Sequence, residues 1–401
     1  MRVSPALTIP PLLEPFTNAD TISYEMQWKI HRDGFQRDEK MVIFDLKWQK
    51  SSKDLWLIGC TNLGEICIWK TPNLVLSDDG NNSITTSDFA DDMSRAPIFR
   101  RKISSRILYS IRLHTPFNNT DQTLLVAAGD DGVYIFDWNK QILPFLESGR
   151  PNVPNLPITP ISRFVPNPSA NEGKVEINDV QIQAHHIYGA AGDSFGCYKW
   201  DLTKETLVTT YQSPHRGYLH ALALTAPCNQ RSLLLMGGED GALSIYDTAH
   251  DKLVDAIDLS NSKNTNSNAV RPRTCPKRWI SSCETISDDQ WWAVAGGSIR
   301  GGFLATIHAP TRSVVAELGT NACMQKLASW QHTVISVGND GMTTHWNPFS
   351  LEQTQCVQSS HKSGYAIAIS SSDDRIATSG VGSTVDILEE GTQRTFQLTA
   401  M

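Results

Sequence analysis

The 401-residue chain lacks the features that mark membrane, secreted and uniformly basic proteins. No apolar run approaches the roughly 20 residues that cross a bilayer as a helix, and we expect no secretory signal at residues 1–11. The 8 cysteines form no CxxC pair and no disulfide-like spacing, which favours reduced, buried thiols in a cytosolic or nuclear protein. The formal net charge of -7 argues against a dedicated nucleic-acid binder, although local basic patches are compatible with it.

Motifs for catalysis are also scarce, and those that occur have the wrong context. The sequence Gly192-Asp193-Ser194-Phe195-Gly196 fits GxSxG, but a nucleophile elbow needs a helix after it, and Cys197–Asp201 has the pattern of a strand. The glycine-rich run at 296–302 has neither the Gly-Lys-Ser/Thr of a phosphate-binding loop nor a following helix. Both segments are better explained as turns, so we expect no catalytic residue and no small-molecule substrate.

Residue pairs that could bind a metal have a simpler interpretation. Asp130-Asp131 and Glu239-Asp240 lie beside glycine, where carboxylates cap the N–H groups of tight turns more often than they bind calcium. The pair His185-His186 has no partner at ligand spacing in the sequence. We therefore expect no metal site and no cofactor.

What the sequence does contain is a repeated hairpin. Residues Leu233 to Asp247 combine an apolar run, the acidic turn Gly238-Glu239-Asp240-Gly241 and a second, alternating run that ends in Tyr246-Asp247. Six further segments fit this template: Trp56–Trp69, Leu124–Trp138, Ile187–Asp201, Trp292–His308, Thr333–Trp346 and Arg375–Leu388. In these hairpins, the glycine that ends the first of the two strands lies at positions 59, 129, 192, 238, 297, 338 and 380. The last two intervals are therefore 41 and 42 residues. WD repeats have this period, roughly 40–45 residues with four strands per blade.

The repeat predicts an all-β fold, a seven-bladed WD40-type β-propeller with an N-terminal leader and long loop insertions. We assign residues 1–40 to the leader, partly disordered or packed on the propeller as an extra strand or a short helix. We assign residues 41–400 to the propeller. Seven blades need roughly 280–315 residues, which leaves room for insertions near 73–96, 139–173 and 260–278.

Two details of the propeller follow from the residue types. The insertion at 139–173 holds seven prolines, so we expect it to cross the surface in extended form, with a short edge strand near Ile161–Val165. The inner strands are the most apolar ones, as in Ala221-Leu222-Ala223-Leu224. We therefore expect small residues to line the narrow centre of the ring.

The insertion after the fourth hairpin is the best candidate for a binding site. Residues 270–279 read Val-Arg-Pro-Arg-Thr-Cys-Pro-Lys-Arg-Trp, with four positive charges in ten residues of an acidic protein. We predict that Arg271, Arg273, Lys277, Arg278 and Trp279 contact a partner, either an acidic protein or RNA phosphate. The alternative is a solvated loop that binds nothing.

Several stretches resemble the THO complex subunit 6 family of WD-repeat proteins. The likeness is carried by Tyr218–Leu224, Gly237–Ala242, Tyr246-Asp247, Arg271-Pro272, Arg278-Trp279-Ile280 and the ending Arg394–Thr399. The resemblance implies a non-enzymatic scaffold of mRNA processing and nuclear mRNA export, nuclear with a cytoplasmic pool left open. It also implies other THO subunits as partners, coiled-coil subunits among them, with RNA contacted indirectly or through the basic segment.

The WD-repeat resemblance further implies a hydrogen-bonded network in each blade. It joins an Asp of the second hairpin turn, a His before the inner strand, a Ser of the second strand and a Trp of the third. In blade four these places fall on Asp240, His215 and Tyr246, with Met236 instead of the Ser; in blade six they fall on Ser336, Asp340 and Trp346, with no preceding His.

Two other classes of function stay open at the level of sequence. A WD-repeat substrate receptor of a ubiquitin ligase, or a generic cytoplasmic adaptor, would have the same fold, but we identify no docking element for a ligase adaptor. A propeller enzyme would need acids or metal ligands that converge in the central channel, and the small inner-strand residues argue against it.

Overall fold

The computed structural model of the protein is a ring of seven four-stranded antiparallel sheets, which confirms the predicted seven-bladed β-propeller. It describes residues 41–51, 54–71, 96–116, 121–148, 158–166, 175–192, 194–212, 214–226, 232–260, 278–286, 289–298, 301–370, 372, 374–389 and 393–399. Each sheet is one continuous segment of chain whose strands pair in sequence order.

The strands are numbered in chain order, and the first strand of each blade is innermost, where it contacts the first strands of its neighbours. Blade one contains β1 (Ile43–Lys50), β2 (Leu55–Thr61), β3 (Glu65–Thr71) and β4 (Phe99–Lys102); blade two contains β5 (Leu108–His114), β6 (Leu124–Gly129), β7 (Gly132–Asp137) and β8 (Ser162–Phe164); blade three contains β9 (Ile177–Gln183), β10 (His186–Ala191), β11 (Cys197–Asp201) and β12 (Thr206–Tyr211). Blade four contains β13 (Leu219–Leu224), β14 (Leu233–Gly238), β15 (Ala242–Asp247) and β16 (Lys252–Asp258); blade five contains β17 (Arg278–Ile286), β18 (Trp291–Ser298), β19 (Gly301–His308) and β20 (Ser313–Thr320). Blade six contains β21 (Met324–Trp330), β22 (Thr333–Gly338), β23 (Met342–Trp346) and β24 (Gln353–Gln358); blade seven contains β25 (Gly364–Ile369), β26 (Arg375–Gly380), β27 (Thr384–Glu389) and β28 (Gln393–Thr399).

The hydrophobic core is divided into seven apolar clusters, one between each pair of neighbouring blades. Both faces of every sheet are covered in this way. The second strands are consequently buried along their whole length, as in β2 and β6, and read as continuous apolar runs rather than as an alternating pattern.

The glycine that ends the second strand is required by close packing of backbone. At Gly129, Gly238, Gly338 and Gly380 an added Cβ would crowd the carbonyl of the chain that enters the blade. The next residue donates its N–H to that same carbonyl, for example Val381 N to Ser363 O at 2.8 Å. Left-handed φ is needed elsewhere in the turns, at Gly64, Gly132, Gly241, Gly301, Gly341 and Gly382.

The expectation of an extended segment after β7 is wrong for the first part of that insertion. Trp138–Ile142 forms one turn of π-helix, and Leu143–Glu147 forms the short α-helix α1. Asp137 caps the start of the helical turns by accepting a 3.0 Å hydrogen bond from the backbone N–H of Lys140. Pro144 is tolerated because it lies in the first turn of α1, where its missing N–H has no intrahelical partner to lose. The predicted edge strand nearby is confirmed as β8.

The ring closes where blade seven packs against blade one. Ile43 and Trp69 share an apolar cluster with Val385 and Leu398. Polar links reinforce this contact, since Trp48 Nε1 donates to Ala368 O at 3.1 Å. Strand β28 completes blade seven from the chain that directly follows β27, so within the described residues no sheet combines strands from distant parts of the sequence.

Several predicted features lie outside the described residues. They are the leader at 1–40, most of the insertions near 73–96 and 260–278, and residues 149–157 and 167–174 of the insertion at 139–173. The predicted boundaries of leader and propeller stay predictions.

Every inner strand carries a β-bulge near its start. The residue after the bulge can cap the exposed inner edge of the next blade. Asp45 accepts a hydrogen bond from Ile111 N at 3.1 Å, and Asp179 accepts one from Leu222 N at 3.0 Å. Because no described strand pairs with the inner edge, side chains of this kind satisfy backbone groups that would otherwise lack a partner.

Candidate partner-binding face

The two faces of the ring carry different loops, because antiparallel strands place successive turns at opposite ends. The upper face carries the second hairpin turns and the connections between blades, among them residues 62–64, 103–107, 194–196, 214–218, 239–241, 321–323, 339–341, 359–363 and 381–383. The lower face carries the first and third hairpin turns, among them residues 184–185, 202–205, 248–251, 309–312, 331–332 and 347–352. The end of β16 and the start of β17, between which the predicted basic segment lies in the sequence, are both on the upper face.

Only the end of the basic segment is described, and it is built into blade five. Arg278 is the first residue of β17, and its Nη1 lies 2.7 Å from Glu317 Oε1 on β20. Its guanidinium also lies 4.8 Å from the ring centre of Phe303. Trp279 is buried with its indole against Gly297. These contacts give Arg278 and Trp279 partners inside the blade. The role in external binding stays a prediction for these two residues and for Arg271, Arg273 and Lys277, which lie outside the described residues.

An exposed aromatic residue stands on the upper face, in the second hairpin turn of blade three. Phe195 occupies the turn of blade three with a φ of 55° and a side chain that is 38% exposed. Its ring meets that of Tyr218 edge to face at 5.7 Å between centroids. A large residue in the left-handed region is uncommon and costs about 1 kcal/mol or more. The GxSxG sequence thus presents an aromatic side chain, and it is followed by strand β11 rather than by the helix of a nucleophile elbow.

The predicted network of blade four forms around His215. Its Nδ1 lies 2.8 Å from Asp240 Oδ1, and its Nε2 lies 2.5 Å from Ser244 Oγ. The serine therefore comes from the third strand rather than from position 236. Tyr246 occupies the next outward-facing position of that strand, and its hydroxyl donates to Gln212 O at 2.8 Å instead of reaching His215. The arrangement ties the connection between blades three and four to the turn of blade four.

Blade six keeps part of the network and leaves a space. Trp346 Nε1 donates to Ser336 Oγ at 2.8 Å, while Asp340 caps its own turn by accepting from Met342 N at 3.1 Å. A cavity of about 380 Å³ is lined by these three residues together with the connection from blade five at 318–323. This is the place that the imidazole of His215 fills in blade four, so the cavity follows from the missing histidine.

A related pair, His361 and Asp386 in blade seven, was missed at the sequence level, although neither imidazole nitrogen of His361 has a hydrogen-bond partner among the described residues. His361 is buried three residues before β25, and its Nδ1 lies 3.9 Å from Asp386 Oδ2. The carboxylate of Asp386 accepts from both the backbone N–H (2.6 Å) and the hydroxyl (2.6 Å) of Ser360. The signal was present, because His361 precedes an apolar inner strand much as His215 does. It was overlooked because the acid comes from the third strand and not from the turn.

Charged side chains converge on the central channel, where small residues were expected. Arg112 on β5 links two carboxylates: its Nη1 lies 2.7 Å from Asp45 Oδ2, and its Nη2 lies 2.9 Å from Asp179 Oδ1. Lys47 Nζ lies 3.0 Å from the other oxygen of Asp45. The expectation of a channel lined by small residues is therefore wrong for blades one to three. Small residues do occupy the inner strands of blades four and seven, as at Ala223 and Ala368.

The ionisation of this channel cluster follows from its surroundings. Burial would raise the pKa of Asp45, but Lys47, Arg112 and Lys326 together hold that pKa well below its usual range. Glu284 on β17 behaves differently, because burial raises its pKa to about 7 although the same three cations oppose the rise. Asp45 is thus a fixed anion that links blades one and two, whereas Glu284 titrates near neutral pH.

The acid pairs singled out in the sequence serve local structure. Asp130 accepts a hydrogen bond from the hydroxyl of Tyr109 at 3.0 Å, and Asp131 accepts from Ser104 Oγ at 2.9 Å. Glu239 accepts from Tyr218 N at 3.3 Å.

The cysteines that are described are free thiols, and all but Cys356 are buried. No helix of the described residues has the length and apolar character needed to cross a membrane.

Fold and side chains together define a seven-bladed WD40-type propeller whose upper face carries an exposed aromatic residue, Phe195. No family model matches the chain. It is 24% identical over 294 residues to the THO complex subunit 6 homolog of Danio rerio, which covers 72% of this chain and 76% of that protein. It is 23% identical over 290 residues to THO complex subunit 6 of Arabidopsis thaliana, covering 68% and 70%. A THO complex subunit 6 homolog of Rattus norvegicus is 28% identical over 156 residues, 39% of this chain and 41% of its own.

Proposed function

We propose that this chain is a non-enzymatic scaffold that assembles with THO subunits and acts in mRNA processing and nuclear mRNA export. The observation that carries the proposal is its similarity to THO complex subunit 6 proteins of a fish and a plant over about 70% of the chain, within one propeller fold. A rigid disc with several loop-bearing edges suits a protein that holds other chains in fixed relation.

The upper face beside blades three to five is the proposed docking surface. Phe195 supplies an exposed aromatic anchor, which is the residue type that carries much of the binding energy in protein interfaces. Arg271, Arg273 and Lys277 supply positive charge in a protein whose net charge is -7. Such charges set selectivity and association rate toward an acidic subunit, a coiled-coil subunit included, or toward RNA phosphate.

Purification of the tagged full chain from nuclear extract, followed by mass spectrometry, tests the function. We expect other THO subunits to co-purify in stoichiometric amounts. Recovery of ubiquitin-ligase subunits without any THO subunit would overturn the proposal in favour of a substrate receptor. Recovery of neither would point to an adaptor of another kind.

The docking surface needs its own variants. We expect Arg271→Glu/Arg273→Glu/Lys277→Glu and, separately, Phe195→Ala to reduce the recovery of THO subunits, and the charge variant to reduce RNA crosslinking if RNA touches this segment.

Matched controls lie on the lower face. Lys140→Glu/Lys204→Glu/Lys252→Glu makes the same change of charge there, and Phe349→Ala removes a side chain that is 49% exposed. Equal recovery with upper-face and lower-face variants would refute this surface and leave the scaffold role standing.

A further inference from the structure

Blade three brings three metal-ligating side chains together on the lower face, away from the proposed docking surface. His185 lies in the tight turn between β9 and β10, His186 begins β10, and Asp201 ends β11. His186 and Asp201 are direct cross-strand partners. The ligand atoms of the three residues all lie within 4.8 Å of one another.

The turn explains why two consecutive histidines can act together. Neighbouring residues of a regular strand point to opposite faces. Ala184 has a φ of 52°, however, and this left-handed residue bends the chain just before the pair. The two imidazole rings consequently lie on the same side, with 4.0 Å between their centroids.

The carboxylate of Asp201 is also oriented. Its Oδ1 accepts hydrogen bonds from Thr203 N, Thr203 Oγ1 and Lys204 N at 2.9, 2.6 and 3.0 Å. These contacts fix the plane of the carboxylate through Oδ1, while Oδ2 accepts none of the three hydrogen bonds. Hydrogen bonds of this kind behind a ligating carboxylate typically strengthen metal binding.

Two lysines carry positive charge close to this site, but neither prevents a metal cation from binding. Lys199 Nζ is held by Asp251 Oδ1 at 2.7 Å and by Thr248 O at 3.0 Å, so its charge is already compensated. Lys204 Nζ lies 3.6 Å from Asp201 Oδ2, but its side chain is 77% exposed and can turn into water. A divalent ion carries twice the charge of the Lys204 ammonium group and can bond to several ligands at once, whereas a surface ion pair contributes little.

We propose that His185, His186 and Asp201 form a binding site for a divalent transition-metal ion, Zn²⁺ in the first instance, with water completing the coordination. Two imidazoles and one carboxylate suit Zn²⁺, Cu²⁺ or Ni²⁺, whereas Ca²⁺ and Mg²⁺ need more oxygen ligands. Zinc bonds of about 2.0–2.2 Å place ligand atoms at most about 4.4 Å apart. Binding therefore draws the exposed His185 inward by a small rotation.

Titration of the chelator-treated full chain with Zn²⁺ in a calorimeter, and with Co²⁺ under visible absorption, tests the site. We expect one tight ion per chain and Co²⁺ bands typical of nitrogen and oxygen ligands. His185→Ala and Asp201→Asn should each weaken Zn²⁺ binding at least about 10-fold, since even outer-shell partners contribute 10–100-fold. His185 is exposed, so its replacement leaves the fold intact.

The matched control is His250→Ala, on the same face. His250 Nδ1 lies 2.9 Å from Asp247 Oδ2, which forms a histidine–aspartate pair in blade four without the second histidine. This variant should bind Zn²⁺ as the unaltered chain does. Absence of stoichiometric binding, or equal loss in His250→Ala and His185→Ala, would overturn the proposal.

Discussion

Replacing Arg112 with methionine should destabilise the ring more than any surface change. The guanidinium contacts Asp45 and Asp179, whose side chains are 0% and 4% exposed, and is itself 14% exposed. Methionine keeps much of the side-chain volume but leaves two buried carboxylates without their shared cation. Removing one partner of a buried ion pair typically costs about 3–5 kcal/mol. Lys47 still faces Asp45, so we expect a loss of about 3 kcal/mol for Arg112→Met.

A neutral version of the cluster separates charge from packing. In Asp45→Asn/Arg112→Met/Asp179→Asn the amide oxygens can still accept from Ile111 N and Leu222 N, so the backbone caps survive. We expect this triple variant to recover at least half of the loss, because a buried ion cluster can be replaced by neutral groups at little cost.

Urea denaturation followed by tryptophan fluorescence and circular dichroism measures these differences, provided that both probes give one transition. Lys204→Met is the control, since its surface ion pair should contribute less than about 1 kcal/mol. A loss below about 1 kcal/mol for Arg112→Met, or a triple variant less stable than the single one, would refute the idea that Arg112 clamps blades one to three.

Three further predictions concern other parts of the ring. The pKa of Glu284, raised by burial from 4.5 to about 7, means that the folded state favours the protonated acid; stability should therefore fall as the pH rises through about 4.5–7 relative to Glu284→Gln. The full shift corresponds to about 3 kcal/mol, and we expect about 1–2 kcal/mol between pH 5 and 8 because Glu284 is only partly buried; a stability difference between the two proteins that stays constant over this pH range in urea titrations would contradict it. His215→Ala removes the links to Asp240 and Ser244 and should cost about 2 kcal/mol in the same assay, against less than about 0.5 kcal/mol for the exposed His250→Ala; equal costs would rule out the network. Gly380→Ala sets a methyl against Ser363 O and should cost about 1–3 kcal/mol, whereas Gly319→Ala meets no atom within 4 Å and should be nearly neutral by thermal denaturation; similar melting temperatures would argue against close packing at Gly380.

The features that the sequence predicts well are those repeated in every blade. The turn glycines and the strand pattern recur because each blade has the same backbone geometry, so the number of blades and the hairpins could be deduced without a structure. The helical turns at Trp138–Glu147 could not, because prolines suggest extended chain unless one knows that Asp137 caps the first turn and that Pro144 falls within it.

The channel cluster was missed for a related reason. Asp45-Leu46-Lys47 alternates polar and apolar residues like a half-exposed strand. This pattern suggests that the polar side chains face solvent rather than the central channel. Lys47 contacts Asp45 within β1, but the other side-chain partners of Asp45 lie on another blade, 65 or more residues away in the sequence, as for Ser110 and Arg112. Such contacts are visible only once seven segments are arranged in a circle. The proposed metal ligands are likewise not recognisable from the sequence, because Asp201 lies opposite His186 on the neighbouring strand and not at a sequence spacing typical of metal ligands.

Because each sheet is built from one uninterrupted segment, the chain could in principle begin at any blade while the cyclic order of the blades stays the same. Strand β28 ends and β1 begins on the upper face, as do the strands that the three-residue connection 321–323 joins between blades five and six. A short artificial connection from residue 399 to residue 41 could thus join blade seven to blade one. New ends could then be placed between any two other neighbouring blades without cutting a sheet. Permuted chains of this kind would present the same docking surface at a different distance from their termini.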